Sequence, residues 1–286
     1  MPPLLEAYNY GGLWGWVGNL VQGTLGIFAL GNNTTTTNIY TYSGNTVVAG
    51  TVLTANTLHG SAAGTSTLGV FALGISTTTT NIYTYSGNTV AAGTALTAVS
   101  YNLAAAGTST LGVFALGIST TTTNIYTYSG NTVAAGTALT AALDGGSAAG
   151  TSTLGVFALS INTTTTNVYT YSGNTVAAGT ALTAASKYGE ATGTSTLGVF
   201  ALGNATTVTN IYTYSGNTVV AGTALTGSVA FANAATGTST FGIFALYDVT
   251  TTNIYTYSGN TVTAGTALTG NLVGGAAAGN YNGGLS

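Results

Sequence analysis

Apolar and polar residues alternate along this chain in short bursts, and no segment of its repeats carries the three-and-four spacing of an amphipathic helix. The stretch from 104 to 140 shows the pattern. Ala104-Ala105-Ala106-Gly107 is a run of small residues, and Thr108-Ser109-Thr110 follows as a turn. Leu111 to Leu116 is a continuous apolar run bounded by Gly117, too brief for a helix, and it predicts a buried strand. A threonine run ending at Thr123 leads into Asn124 to Ser129. There Ile125 and Thr127 face one way and Tyr126 and Tyr128 the other, the period of two that defines a strand. Gly130-Asn131 is a tight-turn signal, and Thr132 to Thr140 predicts a fourth strand with Gly136 as a bulge.

This unit is written six times. Asn-Ile-Tyr-Thr-Tyr-Ser-Gly-Asn begins at Asn38, Asn81, Asn124, Asn210 and Asn253, and a Val-for-Ile copy begins at Asn167, each start 43 residues after the last. A repeat of this length cannot bury its own apolar face, so the copies must stack on one another. Four short antiparallel strands per ~40–50 residues describe a blade of a β-propeller. The first copy starts at Gly23 with what would be its second strand; the missing first strand is Ala276 to Gly279. Residues 23–55 and 272–282 together complete one blade. The expectation is therefore an all-β, six-bladed propeller over 23–286, closed by strands from both termini, with 1–22 outside the ring. An open, solenoid-like array is the alternative, and it leaves bare strand edges. Twelve of the 18 tyrosines are the two of the repeated motif, expected to pack blade on blade and not to cage a ligand.

The order of these elements resembles the kelch type of propeller: a strand ending in glycine (Phe114-Ala115-Leu116-Gly117), a tyrosine-bearing strand (Ile125 to Tyr128), a turn, then an outer strand. The likeness runs from Thr24 to about Gly279. The double glycine of kelch repeats appears here as Leu116-Gly117, and the outer-strand tryptophan as Val133. A kelch oxidase would require paired His and Tyr copper ligands and a cysteine crosslink, which this sequence lacks.

Composition narrows the chemistry. The charged residues are Glu6, Asp144, Lys187, Glu190 and Asp248; there is no arginine and no cysteine, and His59 is the one histidine. One lysine cannot neutralise a phosphate backbone, so nucleic acid is excluded as a partner. No thiolate site or disulfide can form, one histidine with scattered carboxylates suits at most a loose Ca²⁺, and no cofactor is expected. No run of about 18 apolar residues suggests a membrane span. The first residues show no basic n-region followed by an apolar core, so no export signal is visible. Hydroxyls and amides must hydrate the surface, which suits a component of an assembly or homo-oligomer.

The copies differ in two places. One is the stretch after each fourth strand, carrying His59, Tyr101, Asn102, Asp144, Lys187, Tyr188, Glu190 and Phe231; the other is the start of each threonine run, carrying Asp248. In a four-stranded antiparallel blade both links lie on one face, so these residues form a candidate binding rim, against the plain alternative that exposed loops drift. Gly145, Gly146 and Gly189 suggest that the rim loops are mobile. No catalytic constellation is visible, although Asp144 and Glu190 follow adjacent repeats and a close carboxylate pair is the requirement for glycoside hydrolysis. Before the ring, Tyr8, Tyr10, Trp14 and Trp16 alternate with glycines and form either a strap on the propeller or an arm that docks other structural proteins. The expectation is a non-enzymatic structural or binding protein of a particle, a phage virion component assembled in the host cytoplasm, able to recognise surface carbohydrate. A bacterial surface or filament subunit and a glycan-active enzyme are the alternatives.

Overall fold

A computed structural model describes residues 24–160, 162–230 and 234–280. The proposed arm with Tyr8, Tyr10, Trp14 and Trp16, and Phe231 of the rim, lie outside the described residues. The described residues form six four-stranded antiparallel sheets and no helix. We number these blades 1 to 6. Blades 2 to 6 are each built from consecutive strands, from the axis outward. Blade 1 takes its inner strand, Ala276–Gly279, from the end of the chain and pairs it with Leu25–Ala29, Ile27 lying opposite Ala278. The chain is therefore a closed six-bladed β-propeller, with its first and last described segments hydrogen-bonded in one sheet.

Each position in a blade has its own composition because each has its own neighbours. The inner strands (Ser61–Gly64, Ala104–Gly107, Ser147–Gly150, Glu190–Gly193, Ala234–Gly237 and Ala276–Gly279) converge on the axis, where only small side chains fit. Second strands such as Leu111–Ala115 and third strands such as Thr123–Thr127 are buried on both faces between blades. One interface gathers Ala63, Val70, Ala72 and Leu96 of blade 2 against Ala105, Phe114, Leu116, Tyr126 and Tyr128 of blade 3. Tyr126 and Phe114 are wholly buried, each contributing about 1.5–3 kcal/mol. The motif tyrosines are thus interface filling in all six copies.

The fourth strand is half the expected length, Thr132–Ala135, and Gly136 is its end, not a bulge. The reason is the next blade. A Cβ on Gly136 would lie 2.6 Å from the Tyr169 hydroxyl, so only glycine lets that ring reach across. The chain then crosses over: Thr137 N donates to the Tyr169 hydroxyl (3.1 Å) and to Asn174 Oδ1 (2.9 Å), and Tyr169 itself donates to Asn174. Deeper in, the wholly buried Asn167 accepts from Thr140 N (2.8 Å) and donates to Thr140 Oγ1 and to Thr166 O. The same clamp joins the chain ends, where Asn38 holds Thr269 N and Oγ1 at 2.8 Å.

The second motif tyrosine points its hydroxyl at the inner strand of the preceding blade. Tyr257 meets Thr192 Oγ1 (3.1 Å) and Tyr42 meets Thr236 Oγ1 (2.9 Å). The hydroxyls of Tyr128, Tyr171 and Tyr214 are buried without a partner, and the matching positions Ala63, Ala106 and Ala149 carry no oxygen. Burial pushes all of these phenols well above their ordinary range. Replacing Ala106 by Thr, the residue blades 5 and 6 already use there, should stabilise the fold by about 1 kcal/mol. A thermal melt should show a rise of a few degrees; no rise would mean Tyr171 is already satisfied. Closure makes a second forecast. Removing 272–286 deletes the inner strand of blade 1 and the Asn280 contacts to Leu25 (2.8 and 3.0 Å), and should abolish the single cooperative melting transition.

Candidate functional site: the axial rim

The two variable links of each blade lie side by side. Thr77, between second and third strands, bridges Ser100, after the fourth; Thr120 bridges Leu143, and Thr163 bridges Ser186. One step further each loop reaches the following blade, as Tyr101 bridges Gly117 and Lys187 bridges Gly203. The two variable links are therefore carried on one rim.

The next residue of each loop turns into left-handed backbone. His59, Asn102, Gly145, Tyr188 and Gly274 occupy the same repeat position, with φ of 57°, 56°, 71°, 57° and 61°. They link as a chain around the axis. His59 N donates to Gly274 O (2.6 Å), Leu103 N to His59 O (3.4 Å), Gly145 N to Asn102 O (3.1 Å) and Tyr188 N to Gly145 O (2.7 Å). Gly145 is a fixed member of this ring: a Cβ there would sit 2.1 Å from Cδ1 of Tyr188, whose ring lies over it. Gly146 and Gly189 are buried, with a Cβ on either meeting the carbonyl of Ala158 or Ala201. The expected looseness of these loops is thus replaced by hydrogen bonds from one described loop to the next.

Six of the nine rim candidates come together here. The His59 ring lies 4.6 Å from Tyr101 and 6.3 Å from Tyr188, centroid to centroid. Asn102 Nδ2 donates to Asp144 Oδ1 at 2.6 Å, and Lys187 Nζ stands 5.0 Å from the centre of Tyr188. His59 Nδ1 and Asn102 Oδ1 are both buried with no hydrogen-bond partner. Burial holds His59 below its ordinary value of 6.5, partly opposed by Asp144. Burial, with Asp144 and Tyr101, raises Tyr188. Lys187 and Tyr188 also border a groove of about 180 Å³ with Asn204, Ala205 and Ala230.

The other candidates separate. Asp248 is exposed in a turn of blade 6, where Asn271 Nδ2 donates to its carbonyl (3.1 Å). Glu190 begins the inner strand of blade 5, below the rim and in the axial channel. The sequence reading missed Ser61 and Ser147, which line that channel, and the two ring glycines. A signal existed for the glycines: a repeat position where Gly alternates with His, Asn, Tyr and Phe suits left-handed backbone.

The comparisons with known proteins support the fold alone. No protein family matches the chain, and no curated protein does. Among solved structures, TolB from Acinetobacter baumannii is similar, with a TM-score of 0.63 at 12% identity over 89% of this chain. The chain spans 66% of that protein's length. At that identity the likeness confirms a propeller and does not single out the kelch type.

The buried histidine sets a pH dependence. Its folded value lies below 6.5, so the unfolded chain takes up the proton first and stability declines as pH falls through and below 6.5. Between pH 7 and pH 5 the melting temperature of wild type should therefore fall relative to that of His59→Asn, which removes this contribution. Parallel curves for the two proteins would show that His59 makes no such contribution.

Proposed function

We propose that this chain is a non-enzymatic recognition and display protein whose axial rim binds hydroxyl-rich ligands, the carbohydrate of a cell surface. One observation carries the reading. On a scaffold repeated six times, side-chain identity diverges at a ring of equivalent positions, and His59, Asn102 and Tyr188 are held there in backbone that ordinary residues avoid. Left-handed backbone also recurs in the opposite-face turns, at Asn45, Asn88 and Asn131, where the residue never varies, so the divergence of side chains is what sets the rim apart. Tyr101 and Tyr188 offer flat faces for a sugar ring. Asp144 and Lys187 offer an acceptor and a donor, and a shallow groove lies beside Lys187.

We extend the proposal to an external particle, a virion component of kelch-like type, on the hydroxyl-rich, almost uncharged composition. Such a surface responds little to salt or pH and packs closely against neighbours.

A glycan array with the purified chain tests the binding reading. Tyr188→Ala and Lys187→Ala should each reduce retained signal roughly tenfold, as loss of ~1.4 kcal/mol would. Substitutions at Ser43 or Ser129, on the opposite face, should leave it unchanged. Absence of any binding, or equal loss from both faces, would reduce the protein to a structural spacer. Antibody labelling of material from the native source, seen by electron microscopy, separates capsid-bearing particles from continuous surface filaments.

A further inference from the structure

Below the rim the inner strands enclose an axial cavity lined by Ser61, Ala104, Ser147, Glu190, Ala276 and their neighbours, with room for about one water-sized particle. Ser61, Ala104, Ser147, Glu190 and Ala276 are each the first residue of an inner strand, so they form one level of the channel. Ser147 is 2% exposed, and its Oγ has no hydrogen-bond partner. Glu190, at the equivalent position one blade on, is partly buried and lines the same channel. Among the described residues, the rest of the lining is alanines, glycines and Leu103, none of them ionisable. The ionisable groups of the rim above, His59, Tyr101, Asp144, Lys187 and Tyr188, do not shift the titration of the carboxyl, which burial alone raises well above 4.5.

We propose that the axial channel is a binding site for a single small monovalent cation, potassium or ammonium in size, held by the Glu190 carboxylate and the Ser147 hydroxyl. The chemistry selects this class. A carboxylate partly withdrawn from water in a narrow channel is penalised unless its charge is neutralised, and one positive charge neutralises it. A divalent ion would leave a net charge buried with one carboxylate to hold it. The Ser147 oxygen, on a residue that lines the same cavity, is an acceptor already desolvated with nothing to bond. Hydroxyl and carboxylate oxygens are the ligands that hard cations take. The cavity's size excludes organic cations. Position gives the site a further use: a cation at this level would stiffen the inner strands of blades 4 and 5 directly under Gly145 and Tyr188.

The test uses the full chain in thermal melts at pH 8 and constant ionic strength, with potassium chloride replacing N-methylglucamine chloride. Wild type should gain roughly 2–4 °C in melting temperature, saturating with potassium. Without potassium, stability should fall as pH rises above 4.5, because the folded state then holds a proton the unfolded chain has released. Glu190→Gln should fold, lose the potassium effect and lose that decline. Ser147→Ala should keep the effect but require about tenfold more potassium, since its hydroxyl supplies one ligand. Thallium soaked into crystals should give an anomalous peak beside Glu190. Overlapping melts in the two salts, or potassium stabilisation that persists in Glu190→Gln, would overturn the site and leave Glu190 as a protonated, uncharged lining residue. Neither result bears on glycan binding at the rim.

Discussion

The ring depends on a neutral polar clamp repeated at each blade interface. A wholly buried asparagine of one blade accepts from the backbone N–H of a threonine in the blade before it and donates to a hydroxyl there or to its own strand. Both amide atoms are satisfied, so the group is affordable in a dry interface, where an unpaired one would be strongly destabilising. The apolar area of Phe114 and Tyr126 supplies most of the attraction, but apolar contact is non-directional and would tolerate a sliding blade. The clamp fixes the register. Being uncharged, it also avoids the desolvation cost that burying an ion pair would bring to every interface.

A second constraint follows at the perimeter. The outer strands are four residues long and mostly exposed, and Val48 and Val220 are more than half exposed. Six open edges with few charges would be an aggregation hazard if they were long. Ending each strand at a glycine keeps them short, and the chain beyond the glycine is taken up at once by the next blade's Tyr and Asn. The same crossing that locks the ring therefore also limits its exposed edges.

With the interfaces so constrained, freedom is left at the rim. Its backbone is tied by ring hydrogen bonds, so side chains there can change without altering the scaffold, and the left-handed turn projects them around the axis. The inner strands have less freedom, since the converging geometry admits small residues. Glu190 is the exception, and its place in the channel follows from being the first residue of its strand.

The periodicity of the chain was enough to determine the number of blades, their four strands, the packing role of the paired tyrosines and the closure through Ala276–Gly279. These follow from local alternation and from counting copies, which need no coordinates. Gly136 was misread because its role lies in another repeat: the hydroxyl that forbids a side chain there belongs to Tyr169. Likewise the six rim residues could be assigned to one face by topology alone, but not to one cluster. That Asn102 bonds Asp144, that Tyr188 covers Gly145 and reaches His59, and that Asp248 and Glu190 fall elsewhere depend on radial distance from the axis and on the sign of φ. Both are properties of the closed ring, and only the tertiary structure decided them.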